Sequence, residues 1–156
     1  MPSDHPELLK NLSPADAAQV IALGSRMSVA SGSVLFQLGA DADRIFLIER
    51  GRINLTLPMQ VLSRDEDVLV EERVSGQTLG WSALIPPHRF TLKATAQIDT
   101  QVLAVPRAAL LDHFAARPEV GYLVTRNVAE VIGQRLQVFQ AMWLREMQRV
   151  VELSQA

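Results

Sequence analysis

Between residues 79 and 91 the chain reads Leu-Gly-Trp-Ser-Ala-Leu-Ile-Pro-Pro-His-Arg-Phe-Thr. Gly80, Trp81, Ser82 and Ala83 make a turn that opens a short helix, and exposed amides there suit an anion. Arg89 follows within reach and brings a guanidinium, a donor matched to phosphate or carboxylate. No carboxylate stands in the stretch to hold sugar hydroxyls, so the cradle lacks one of the fittings a sugar phosphate needs.

Other chemistry is poorly served. Ser82 and His88 are the one candidate nucleophile and base, and no glycine elbow surrounds the serine. The three histidines, His5, His88 and His113, fall in the start, a loop and a helix, a separation that argues against a shared metal or a haem ligand pair. Without cysteine there are no disulfides, thiolate metal sites or thiol nucleophiles. The chain reads as a non-enzyme that needs no metal or cofactor.

The elements that must position the turn follow from period and punctuation. An N-terminal helix is predicted over 12–24, with Ser13 as N-cap, Pro14 at the first helical position and Gly24 as its C-terminal stop. Ala17, Val20, Ile21 and Leu23 would face the core. Over 26–105 the period turns strand-like. "SVLFQL", "RIFLIER", "RINLTL", "EDVLVEERV" and "TQVLAV" are separated by "SGS", "GADAD" and Gly51. Many short strands with regular turns indicate an antiparallel sandwich or barrel. "SRDED" at 63–67 reads as a solvated hairpin tip.

From 106 to 156 the pattern is helical: a short helix opening at Pro106, then one uninterrupted segment from Pro118. Ile132, Leu136, Phe139, Trp143, Val150 and Leu153 recur at steps of four and three, with Glu146 the one polar residue in the seam. Such a seam suits a second helix, and a parallel homodimer about a twofold axis is expected. Val128, Val131, Met142, Met147 and Val151 widen the apolar surface enough to touch the strands as well.

A length of 156 residues suits one domain, expected to span 1–156. Fifteen basic against seventeen acidic residues give a formal charge of −2, which argues against a nucleic-acid surface. No signal pattern opens the chain and no apolar run approaches the ~20 residues of a membrane span, so a cytoplasmic protein without a membrane partner is expected.

The segment "GSVLFQLGADADRIFLIERGRINL" resembles the opening of the cyclic nucleotide-binding domain of bacterial regulators. Gly32, Gly39, Asp43 and Gly51 hold the places of its characteristic turns, and the likeness continues through "TLGWSALI", "ATAQIDTQVLAVPRAALLDHFAARPEV" and "VIGQRLQ". The resemblance implies a mainly β fold with flanking helices: a cyclic nucleotide-binding-like β-roll, or jelly roll, of about eight strands, with a phosphate cassette and a long dimerising helix. Many members carry a winged helix-turn-helix after that helix, and none is visible here.

In the family the cassette reads glycine, glutamate, two small or apolar residues and, further on, arginine with a hydroxyl residue. Gly80 keeps the glycine place, Trp81 stands at the glutamate, and Ser82 and Ala83 follow. Counting back from "TQVLAV" puts Phe90 at the arginine place and Thr91 at the hydroxyl, with Arg89 one residue early. A one-residue offset turns a side chain to the opposite face of a strand. Arg89 reaches inward only if Pro86 and Pro87 bend the loop. Val138, Phe139 and Gln140 stand where the family reads the purine.

Two readings stay open. In one, the domain is a regulatory sensor that binds cAMP or cGMP weakly or takes another ligand, Trp81 stacking on a base and Arg89 meeting phosphate. In the other, Trp81 and Phe90 fill the pocket as core, and a ligand-free dimeric scaffold keeps only the fold.

Overall fold

The computed structural model describes residues 6–155, and among them eight strands form two four-stranded antiparallel sheets. The order is a 3-10 turn Glu7–Leu9, α1 (Pro14–Ala22), β1 (Ser25–Val29), β2 (Val34–Phe36), β3 (Arg44–Arg50), β4 (Arg52–Val61) and β5 (Arg64–Val74). β6 (Thr78–Leu79), a second 3-10 turn Trp81–Ala83, β7 (Lys93–Ala96), β8 (Thr100–Pro106), α2 (Arg107–Ala116) and α3 (Pro118–Ser154) complete it. One sheet runs β1-β8-β3-β6 and the other β2-β7-β4-β5, the expected roll with flanking helices. No helix among the described residues is long and apolar enough to cross a membrane.

The central strands explain why the chain folds this way. β3 and β8 pair in register from Arg44 with Pro106 to Ile48 with Val102. Ile45 to Ile48 and Val102 to Val105 are all buried, on both faces of the sheet. Continuous apolar runs are what strands covered on both sides require. α2 lies against β8 on the outer side. In β4 the core-facing Ile53 and Leu55 alternate with half-buried Asn54.

Gly51, between β3 and β4, takes a φ of 119°, and an added Cβ would lie 2.3 Å from Thr100 Oγ1. Only glycine fits there. The Thr100 hydroxyl receives the Arg52 amide at 3.1 Å, closing the turn against β8.

One local expectation keeps its place for a different reason and another is corrected. Gly24 stands directly past α1, which ends at Ala22 with Leu23 as right-handed C-cap, but its own φ is not left-handed. Its small size is needed because a Cβ would meet Leu103 Cγ at 2.8 Å. The hairpin tip is not 63–67 but Leu62 and Ser63, at φ 51° and 68°. A turn with both central residues left-handed matches the twist of the flanking strands. Arg64 to Asp67 therefore pair with Val61 to Pro58 inside the ladder. Their charges line the edge strand of the second sheet, where charge discourages further pairing.

Ser13 caps α1 as expected, its hydroxyl accepting from the Asp16 amide at 3.1 Å. α3 is 37 residues long, about 55 Å at ~1.5 Å per residue. Its buried stripe is Val120, Val124, Asn127, Val128, Val131 and Arg135. The Asn127 amide donates to the carbonyls of Leu8 and Lys10, both at 2.8 Å, which fixes the N-terminal turn on α3. Within the predicted seam, Ile132 and Phe139 pack partly on the chain's own core, whereas Leu136, Trp143, Val150 and Leu153 are exposed.

Candidate functional site

The cassette begins where β6 hands over to the 3-10 turn. Gly80 is left-handed (φ 79°, ψ 36°), and a Cβ on it would come within 3.1 Å of Phe90 Cε1 and 3.3 Å of Phe46 Cδ2. The turn then closes on itself, with the amides of Ala83, Leu84 and Ile85 donating to the carbonyls of Gly80, Trp81 and Ser82. Those three amides are spent on the turn. Ser82 and Ala83 are buried, and Trp81 is half-buried against the core.

The loop after the turn passes through a cis Pro86–Pro87 bond and a left-handed His88. Residues 88–90 then ladder with 39–42: Ala42 N to His88 O at 2.7 Å, Phe90 N to Ala40 O at 3.0 Å, and Gly39 N to Phe90 O at 2.8 Å. On extended backbone successive side chains alternate. Arg89 accordingly lies outside, exposed, its Nη1 donating to the Gly39 carbonyl at 3.0 Å. Phe90 lies inside, 6% exposed, its ring 3.8 Å from that of Phe36 at an angle of 11°. Phe36 in turn stacks at 5.9 Å on Phe46. Bending at the prolines does not bring Arg89 inward, and Thr91 is exposed beside it.

What remains is a cavity of about 10 Å³ lined by Phe36, Leu55, Gly80, Trp81, Ser82, Phe90, Thr91, Leu92 and Arg135. That is room for about one water.

The His88 ring meets the cassette through backbone. Its Nδ1 lies 3.1 Å from the Ser82 carbonyl, which can only accept, so that nitrogen carries the proton. The contact does not involve the Ser82 hydroxyl. His113 lies on α2, and His5 lies outside the described residues. No group of three or more potential metal ligands is gathered among the described residues.

Sequence reasoning missed the strongest electrostatic feature. Arg135 of α3 donates from Nε to Glu71 Oε2 at 2.6 Å, and Arg73 donates from Nη1 to Glu71 Oε1 at 3.1 Å. Arg73 Nη2 also pairs with Glu7, and its Nε and Nη2 donate to the Thr78 carbonyl at 3.2 and 3.1 Å. Glu7 accepts the Thr78 amide at 2.9 Å. The Arg73 side chain is only 2% exposed. Removing one partner from a buried pair typically costs about 3–5 kcal/mol, because the other charge is stranded. This chain of four charges binds the N-terminal turn, β5, β6 and α3 into one unit beside the cassette. One signal was available: Arg135 falls on the stripe begun by Val124, Val128 and Val131, where a solvated arginine has no place.

Comparison with known proteins gives a consistent outline. The family model of the cyclic nucleotide-binding domain matches residues 26–117. A Geobacter metallireducens structure described as a cyclic nucleotide-binding protein is 24% identical at a TM-score of 0.68, over 84% of this chain and 92% of that one. The N-terminal domain of a Streptomyces coelicolor transcriptional regulator is 23% identical at 0.69, over 82% and 89%. The Thermus thermophilus catabolite activator protein is 21% identical at 0.73, over 91% of this chain and 63% of its own. No curated protein matches the sequence.

Proposed function

Since the chain belongs to the cyclic nucleotide-binding domain family, we propose that it is a regulatory sensor module whose closed cassette takes cAMP or cGMP weakly, and that it works as a homodimer through α3. The observation that carries the weak-binding reading is the pair of opposed side chains: Arg89 tied outside to Gly39, Phe90 stacked inside on Phe36. A nucleotide-sized ligand needs a cleft of roughly 300 Å³ or more. The cassette offers about 10 Å³, so Trp81 and Phe90 must move for a ligand to enter.

Apparent affinity falls by the fraction of molecules that are open. Loss of the carboxylate at Trp81 and outward placement of Arg89 together remove two charge-assisted contacts of about 1.5–3 kcal/mol each. At ~1.4 kcal/mol per tenfold that is on the order of three decades, which turns a micromolar site into a millimolar one. Calorimetric titration with cAMP and cGMP is the test. Saturable binding below about 10 µM by either would refute the reading.

Support for the homodimer comes from the far half of α3, where Leu136, Trp143, Val150 and Leu153 are 59, 61, 55 and 71% exposed in one heptad seam. Light scattering at micromolar concentration is expected to give twice the 17.2 kDa chain mass. A monomer mass would end the dimer reading.

A further inference from the structure

β3 carries one extra residue near its end: Ile48 lies opposite Val102, Arg50 lies opposite Gln101, and Glu49 is bulged between them. Regular alternation from the buried Ile48 would turn Glu49 outward and Arg50 inward. With the bulge both are exposed, and a bulge is a device for re-aiming a side chain. Arg50 thereby joins a polar row across the β1-β8-β3-β6 sheet, beside Gln101 of β8 and Ser28 of β1. Gln101 is exposed between the buried Thr100 and Val102, so the row lies on the face turned away from the core.

That row borders a cavity of about 430 Å³, whose other walls include Val29, Ala30 and Asp99. A cleft of roughly 300–1,000 Å³ suits a small molecule. Asp99 is held in place: its Oδ1 accepts the Ser31 amide at 2.9 Å, and the Ser31 hydroxyl donates to the Gln97 carbonyl at 3.1 Å. Arg26 is occupied by Glu49 at 3.1 Å. Arg50 and Asp99 line one cavity, yet neither has an ion-pair partner among the described residues. By contrast, Lys93 and Asp67, which line a cavity beside β4 and β5, pair with each other at 2.8 Å.

We propose that this cavity binds the zwitterionic head of an aliphatic α-amino acid. The ligand carboxylate takes the Arg50 guanidinium, whose planar fork offers parallel N–H donors. The ligand ammonium takes the second oxygen of Asp99, and Gln101 and Ser28 supply hydrogen bonds to either group. Val29 and Ala30 give the ligand side chain an apolar wall. Opposite charges on one carbon match opposite charges on two walls, whereas a simple anion or amine leaves one wall unmatched. The site shares no lining residue with the cassette, so it stands apart from whether a nucleotide enters there.

The test is calorimetric titration of the full chain with three probes: L-leucine, N-acetyl-L-leucine, which lacks the ammonium, and L-leucine amide, which lacks the carboxylate. Wild type is expected to saturate with leucine and to bind each blocked form at least tenfold more weakly. Arg50→Gln is expected to erase the preference for leucine over the amide, and Asp99→Asn the preference for leucine over the acetyl form. Asp99→Asn keeps an oxygen for the Ser31 amide and Arg50 is exposed, so both variants are expected to keep the wild-type urea midpoint. The three probes on wild type decide the proposal even if a variant does not fold. No saturation by leucine up to on the order of 10 mM overturns it. Equal binding of the blocked forms, or preferences that survive both substitutions, overturns it as well.

Discussion

Replacing Phe90 with alanine measures how firmly the cassette is shut. The ring is 6% exposed, lies flat on Phe36 at 3.8 Å, and has the Gly80 backbone beneath its edge. If roughly 100 Å³ stays open after truncation, the cavity term is about 2.4 kcal/mol at ~24 cal/mol per Å³. Transfer of the lost ring atoms to water adds about 2 kcal/mol. The sum, about 4 kcal/mol, sits within the range of about 3–5 kcal/mol usual for a buried phenylalanine. For a chain of this size it corresponds to a fall in Tm of roughly 8–16 °C, at ~2–4 °C per kcal/mol. Urea unfolding at a fixed protein concentration is the assay, because the proposed homodimer would make stability depend on concentration. A loss below about 1 kcal/mol would refute the reasoning, since a ring that closes a packed cavity cannot be removed so cheaply.

Gly51→Ala sets a Cβ 2.3 Å from Thr100 Oγ1 at φ 119°, and a loss of about 3 kcal/mol or more is expected in the same assay. Ser13→Ala removes the acceptor of the Asp16 amide and is expected to cost about 1 kcal/mol, read by urea unfolding. The Lys10 ammonium, hydrogen-bonded to Glu130 at 2.6 Å, holds that carboxyl below the usual glutamate range. Its contribution is therefore present above the ordinary glutamate pKa and lost as pH falls through the depressed one. Carboxyl NMR titration is expected to show this, and Lys10→Met to return Glu130 to its ordinary value.

The strands that could be read from sequence are those whose burial leaves a local imprint. "RIFLIER" and "QVLAV" are apolar on both faces and became the paired central strands β3 and β8. β6 has two residues, Thr78 and Leu79, too few for any period to show. The hairpin tip was misplaced because composition marks "SRDED" as a turn, whereas backbone twist selects Leu62 and Ser63. At the cassette, parity decided the outcome: counting placed Phe90 at the inward position, and the ladder with 39–42 put its side chain there and Arg89 outside. The charge cluster was illegible for another reason. Glu71 and Arg135 are 64 residues apart, and a charged pair within "EER" looks solvated until the fold brings its partners together.

The stiffness of α3 turns small angles into large displacements. From Met142, the last residue of the helix that packs on the core, to Ser154 there are 12 residue steps, about 18 Å at ~1.5 Å each. Tilting that rod by about 10° at its last core contact sweeps the far end sideways by about 3 Å, roughly a third of the ~8–10 Å between the axes of packed helices. The helix is a lever arm, so an angular adjustment hardly measurable at the fulcrum is enough to loosen or tighten whatever lies beside its tip.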